Sequence, residues 1–150
     1  MNVTRESRSE EETERFAAEL AAAVPPGTVI ALEGDLGAGK TAFARGFARG
    51  LGITEPVTSP TFTILQSYDG GRLPLWHFDL YRLEDESEMD EIGYEDCFYG
   101  EGVSLVEWAS RMPDCLPANA VRVEISRVPE QGDDVRELRV SGFPAKEGEA

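Results

Sequence analysis

The segment Gly34-Asp-Leu-Gly37-Ala-Gly39-Lys40-Thr41 carries glycines, a lysine and a hydroxyl at the GxxxxGK[ST] spacing of a phosphate-binding loop. The chemistry needs these residue types. Glycines let the backbone curl so that successive N–H groups point at phosphate oxygens. A helix starting at Lys40 adds the partial positive charge of its N-terminus. Lys40 has the reach to span the β- and γ-phosphates, and the Thr41 hydroxyl is placed to ligate Mg²⁺. A glycine-rich turn with a surface lysine is the bland alternative.

Hydrolysis also needs carboxylates for the metal and the attacking water. Asp79 ends the run Leu73–Asp79, and Glu107 ends Gly102–Glu107. An apolar run followed by an acid is the pattern that sets a carboxylate beside a bound metal at the carboxyl end of a parallel strand. Solvated acids at strand ends are common, so both candidates lean on the phosphate loop. Trp108 follows Glu107 and can either stack on a base or fill the core. His77 shares the strand face of Asp79, although a lone histidine is more often a satisfied structural group. Thr61, within Ser59-Pro60-Thr61-Phe62, lies where a loop folding over a γ-phosphate would place a hydroxyl; capping backbone groups is the competing role. Arg45, Arg49 and Arg82 read by default as solvated surface residues.

These side chains need elements to hold them. Ser9 and Glu12 have capping-box spacing, and Thr13, Phe16, Ala17, Leu20, Ala21 and Val24 recur at helical intervals until Pro25-Pro26-Gly27 stops the helix. Thr28–Glu33 is an apolar run of strand length. After the glycine loop, Ala44, Phe47, Ala48 and Leu51 share one helical face. Phe62–Tyr68 and Leu73–Asp79 form a hairpin about Asp69-Gly70-Gly71. Glu84–Ile92 reads as an acidic helix, Tyr94–Tyr99 as a short one, and Gly102–Glu107 as a buried strand. Ala120–Arg127 and Val135–Ser141 make a final hairpin. The order helix, strand, glycine loop, helix, followed by two hairpins, leads to the expectation of an α/β domain. Residues 1–150 form a single domain, with 1–8 and 144–150 frayed.

Composition narrows the function. Against 14 lysines and arginines stand 29 acids, a formal net charge of −15 in 150 residues. Such a chain is repelled by a polyanion, which disfavours stand-alone binding of nucleic acid. The distribution is uneven. Residues 36–54 contain no acid, whereas Glu84–Asp96 holds eight acids and no base. Lys40 is one of only two lysines, and Lys146 lies in the polar tail. The single histidine and the separated Cys97 and Cys115 argue against a zinc site and a disulfide framework. No apolar run has the length of a membrane span, and the charged N-terminus lacks a secretory segment. A cytoplasmic domain is expected.

Taken together, Gly34–Thr41 (GDLGAGKT), Ser59–Phe62 (SPTF), His77–Arg82 (HFDLYR) and Leu105–Trp108 (LVEW) resemble the TsaE family, also called YjeE. The likeness runs in matching order from about Ser9 to Val140. GDLGAGKT alone says only P-loop; HFDLYR and LVEW make the resemblance specific. It implies an α/β, P-loop NTPase-like fold, a central mostly parallel sheet with antiparallel additions flanked by helices, and an ATPase that supports the threonylcarbamoyl modification of adenosine 37 in certain tRNAs. Leu36, Gly37, Ala38, Gly39, Lys40 and Thr41 would bind the ATP phosphates, with Thr41 and Glu107 at Mg²⁺. Asp79 would match the family's acid in its HxDLYR stretch, and Trp108 the tryptophan after the metal-site glutamate. Ser9, at the start of the N-terminal helix, and Arg136, in the last hairpin, would lie near the nucleotide. Gly132-Asp-Asp-Val-Arg136 departs there from the arginine-rich text of the family. The resemblance also implies two partners, TsaB and TsaD, with ATP hydrolysis resetting their complex and tRNA met only through it.

Two other classes use the same loop. A small-molecule kinase needs an acceptor pocket and usually an arginine-bearing lid, and Glu84–Gly102 contains no arginine. A GTPase switch needs Asn-Lys-x-Asp to read the base; neither Asn2 nor Asn119 has that context, and Asp90-Glu-Ile-Gly93 follows no apolar strand. The GTPase reading is rejected, and the kinase remains the runner-up.

Overall fold

The computed structural model of the chain describes residues 2–34, 39–57 and 64–142. Seven strands form one mixed sheet: β1 (Val3–Ser7), β2 (Val29–Gly34), β3 (Leu65–Tyr68), β4 (Leu75–Asp79), β5 (Val103–Glu107), β6 (Val121–Arg127) and β7 (Arg136–Ser141). Their spatial order is β1-β7-β6-β2-β5-β4-β3. The middle four, β6-β2-β5-β4, are parallel. The outer pairings, β1–β7, β6–β7 and β3–β4, are antiparallel. This is the expected parallel centre with antiparallel additions.

Helices α1 (Glu10–Ala23) and α2 (Lys40–Gly50) cover one face. Residues Phe16, Ala17, Leu20 and Ala21 of α1 meet Phe43, Ala44, Phe47 and Ala48 of α2 over Ile30, Leu32, Val103 and Leu105 of the sheet. Short helices α3 (Glu86–Glu91) and α4 (Tyr94–Phe98) cover the other face, burying Met89, Cys97 and Phe98 against Val29, Ala31, Phe78 and Val106. Cys97 and Cys115 are buried free thiols.

Local chemistry explains where the helices begin. The Ser9 side chain accepts the Glu12 N–H at 3.1 Å, as its spacing predicts. The Glu12 carboxylate reaches back one residue further than a capping box requires, accepting from the Arg8 N–H. Asp85 and Glu88 complete a reciprocal box at α3. Helix α2 starts instead from Gly39, at φ +114° and with no side-chain cap. A left-handed backbone there suits glycine, which has no side chain with which to cap the first N–H groups of α2.

One expectation fails. Residues 3–7, read as frayed, form edge strand β1, paired from Val3↔Val140 to Ser7↔Arg136. The segment is short and polar, so the last hairpin makes the strand rather than the segment's own pattern. Residues 144–150 lie outside the described residues.

Candidate functional site

The crevice lies at the carboxyl ends of the parallel strands. The chain leaving β2 packs as α2 on one face, while the chain leaving its neighbour β5 packs through Ala109, Met112 and Cys115 on the other. Diverging connections beside adjacent strands open a ligand crevice in sheets of this kind. Lys40 starts α2 just beyond the end of β2, while Asp79 and Glu107 terminate β4 and β5.

Asp79 and Glu107 are direct register partners. They share the face covered by α2, because Leu75 and Leu105 behind them belong to that layer. Both carboxylates are buried, at 7 % and 5 % exposure. Asp79 Oδ1 accepts the Tyr81 N–H at 3.0 Å. Glu107 Oε2 accepts from His77 Nε2 at 2.6 Å. Burial pushes the Asp79 carboxyl above the ordinary aspartate range, and the neighbouring Glu107 charge adds to the rise; the Tyr81 bond, Lys40 and His77 oppose it.

Lys40 is itself only 8 % exposed. Its Nζ sits 4.5 Å from the centre of the Trp108 ring, a cation–π arrangement. Tyr81 packs on the same indole with centroids 4.8 Å apart. Trp108 adopts a left-handed backbone, φ +56°, directly after Glu107. Ile64, the other non-glycine residue with positive φ among those described, accepts the Asp79 N–H through its carbonyl at 2.7 Å. A β-branched or bulky residue in that region is strained, and such strain collects at functional sites. Here both strained residues attach to the two carboxylate-bearing strand ends.

The sequence-predicted residues divide three ways. Lys40, Asp79, Glu107 and Trp108 converge with Tyr81 and His77. Thr41 lies exposed in the first turn of α2. Ser9 caps α1 at the edge of the sheet, three strands from β2, though at the same end as Gly34 and Arg136. The predictions for Leu36, Gly37, Ala38 and Thr61 fall outside the described residues. Gly39 is described through its backbone alone.

Glu33 belongs to the site and was not anticipated. Its Oε1 accepts the Ser110 N–H at 3.1 Å, and burial raises its carboxyl above the ordinary glutamate range while Lys40 pulls it down. Lys40 is thus the positive charge shared by Glu33 and Asp79. The only local signal was an acid closing the strand before the glycine loop.

Among the described residues, no group of three or more His, Cys, Asp or Glu could hold a metal ion. The buried carboxylates at the strand ends are Asp79 and Glu107, and the sequence puts the Thr41 hydroxyl in the first turn of α2. So few hard oxygens suit a Mg²⁺ that keeps its waters and binds through substrate phosphates, rather than a resident metal in a protein cage. Among the described residues, no helix is long and apolar enough to cross a membrane.

Fold and site together define a P-loop NTPase-like α/β domain. Residues 7–137 match the family described as "Threonylcarbamoyl adenosine biosynthesis protein TsaE". The chain belongs to the TsaE family. It is 53 % identical to the "tRNA threonylcarbamoyladenosine biosynthesis protein TsaE" of Bacillus subtilis over 85 % of this chain and 78 % of that protein. The protein of the same name from Treponema pallidum is 43 % identical over 90 % of this chain and 97 % of the relative. The crystal structure of Bacillus subtilis YdiB superposes with a TM-score of 0.82 at 42 % identity, covering 96 % of this chain and 87 % of that one.

Proposed function

We propose that this chain is a Mg²⁺-dependent ATPase that supports threonylcarbamoylation of adenosine 37 in tRNA by acting on a TsaB–TsaD complex in the cytoplasm. The observation that carries the reading is the convergence of Lys40 with two buried strand-end carboxylates, Asp79 and Glu107, in a member of the TsaE family. Taking carboxylates out of water is costly. A pair kept there beside a phosphate-loop lysine is better explained by a cationic ligand than by stability.

In this reading Leu36–Thr41 cradle the ATP phosphates. Thr41 and Glu107 would hold a Mg²⁺, which when bound would supply charge neutralisation to the phosphates. Lys40 leaves the Trp108 face to offset negative charge on the transferring phosphoryl group. Asp79, anchored by the Tyr81 N–H, orients the attacking water, with Thr61 as its companion. Trp108, released by Lys40, is free to pack on the nucleotide. Turnover by the isolated chain should be slow and raised by a partner, as in P-loop enzymes whose arginine is supplied in trans.

The direct test is binding of a fluorescent ATP analogue by the purified chain, with and without Mg²⁺. Saturable binding tightened by Mg²⁺ is expected. Absence of binding in both conditions would refute the reading. Phosphoryl transfer from ATP to a small-molecule acceptor, in a metabolite screen, would instead favour the kinase.

A further inference from the structure

The carboxylate of Glu107 is held by a neighbour whose placement serves the site more than the core. His77 lies two residues before Asp79 on the same strand face, beside Leu105 in the register. It is 1 % exposed. Its Nε2 reaches diagonally across the strand pair to Glu107 Oε2 at 2.6 Å. An ionised carboxylate only accepts, so Nε2–H is the donor. The other nitrogen, Nδ1, is buried with no hydrogen-bond partner among the described residues.

A leucine or valine here would remove the unpaired Nδ1 but would strip Glu107 Oε2 of its partner. The imidazole therefore costs stability at Nδ1 and returns one strong bond at Nε2. That bond fixes the Glu107 rotamer and commits one of its oxygens, leaving Oε1 for a ligand. Metal-binding carboxylates are typically held by such outer partners.

We infer that His77 is a positioning residue: by donating to Glu107 Oε2 it holds Glu107 Oε1 in place for the Mg²⁺ that accompanies the nucleotide. The inference rests on the reading of Glu107 as a Mg²⁺ ligand proposed above. His77 itself touches neither metal nor phosphate.

The test compares the unaltered chain, His77→Leu and His77→Gln, measuring affinity for a fluorescent ADP analogue in Mg²⁺ and in EDTA. His77→Leu should lose roughly 10- to 100-fold of the affinity gained from Mg²⁺, with its EDTA affinity and melting temperature retained. Glutamine carries an amide N–H with similar reach and should recover most of the loss. An undiminished Mg²⁺ gain in His77→Leu would overturn the inference and leave the ATPase reading standing. Equal losses in Mg²⁺ and EDTA would also overturn it, marking His77 as general support. No nucleotide binding by the unaltered chain would bring down both.

A second measurement covers the case in which His77→Leu fails to fold. His77 is the only histidine, so ¹⁵N-histidine labelling gives a single imidazole spectrum. A proton on Nε2 whose signal moves on Glu107→Gln supports the bond. A signal indifferent to that substitution overturns the inference.

Discussion

Lys40 is the charge on which the site turns, since it answers Asp79 and Glu33 and rests against Trp108. Lys40→Ala should keep the fold and weaken nucleotide binding, while lowering phosphate release by roughly 10²-fold or more; a steady-state assay beside a circular dichroism melt checks both. Asp79 makes the complementary prediction. Its folded-state pKa lies above the unfolded one, mainly through burial, so its contribution to stability is fully present below about pH 4 and lost as pH rises through the folded value. Above that value the chain has to ionise a buried carboxylate. Asp79→Asn should therefore melt a few degrees higher than the unaltered chain at pH 7, by about 1 kcal/mol, with the gain shrinking towards pH 4. Phosphate release should fall in the same variant. The types and spacing of Lys40, Asp79 and Glu107 reveal them in the bare sequence, because phosphate-loop and strand-end chemistry is local. Glu33 and the His77–Glu107 bond depend on tertiary neighbours, Ser110 and the β4–β5 register, which no spacing encodes.

At the scale of elements, α2 must lie close to α1 to hold Lys40 at the end of β2, and two glycines make the approach possible. A Cβ at Gly46 would come within 2.2 Å of the Glu14 carbonyl oxygen, and one at Gly50 within 2.5 Å of that of Ala18. Gly→Ala in a helix interior ordinarily gains up to about 1 kcal/mol. Here the clash is with backbone and outweighs that gain. Gly46→Ala should cost about 3 kcal/mol net and lower the melting temperature by roughly 6–12 °C, as thermal unfolding would show. Ion pairs from Arg45 and Arg49 to Glu14 flank the same crossing. They are partly exposed and contribute little beside the packing. Helical periodicity exposed the apolar face of α2 in the sequence, but the glycine face reads there as weak helix rather than as a contact. Strand β1 was hidden for a related reason. VTRES has one apolar residue at its start, and pairing with β7 supplies what its own pattern lacks. The buried apolar runs of β2 and β5 were legible as central strands, whereas β6 alternates buried and exposed residues and read only as half of the last hairpin.

Across the whole molecule, charge and topology pull in one direction. A net charge of −15 opposes approach to tRNA, and exposed acids line α3 and α4 on the face away from α1 and α2. In fluorescence anisotropy at about 0.15 M salt, the chain alone should leave labelled tRNA unbound; tight binding would assign it a direct role on the nucleic acid. Lys40, Asp79 and Glu107, by contrast, sit at one end of the sheet, where the proposed function has a partner complete them. Phosphate release from ATP, measured with the chain alone and with a TsaB–TsaD pair from the same source, tests that arrangement most directly. The account predicts slow release alone and clear stimulation by the pair, abolished by Lys40→Ala. Release that the pair leaves unchanged would contradict it.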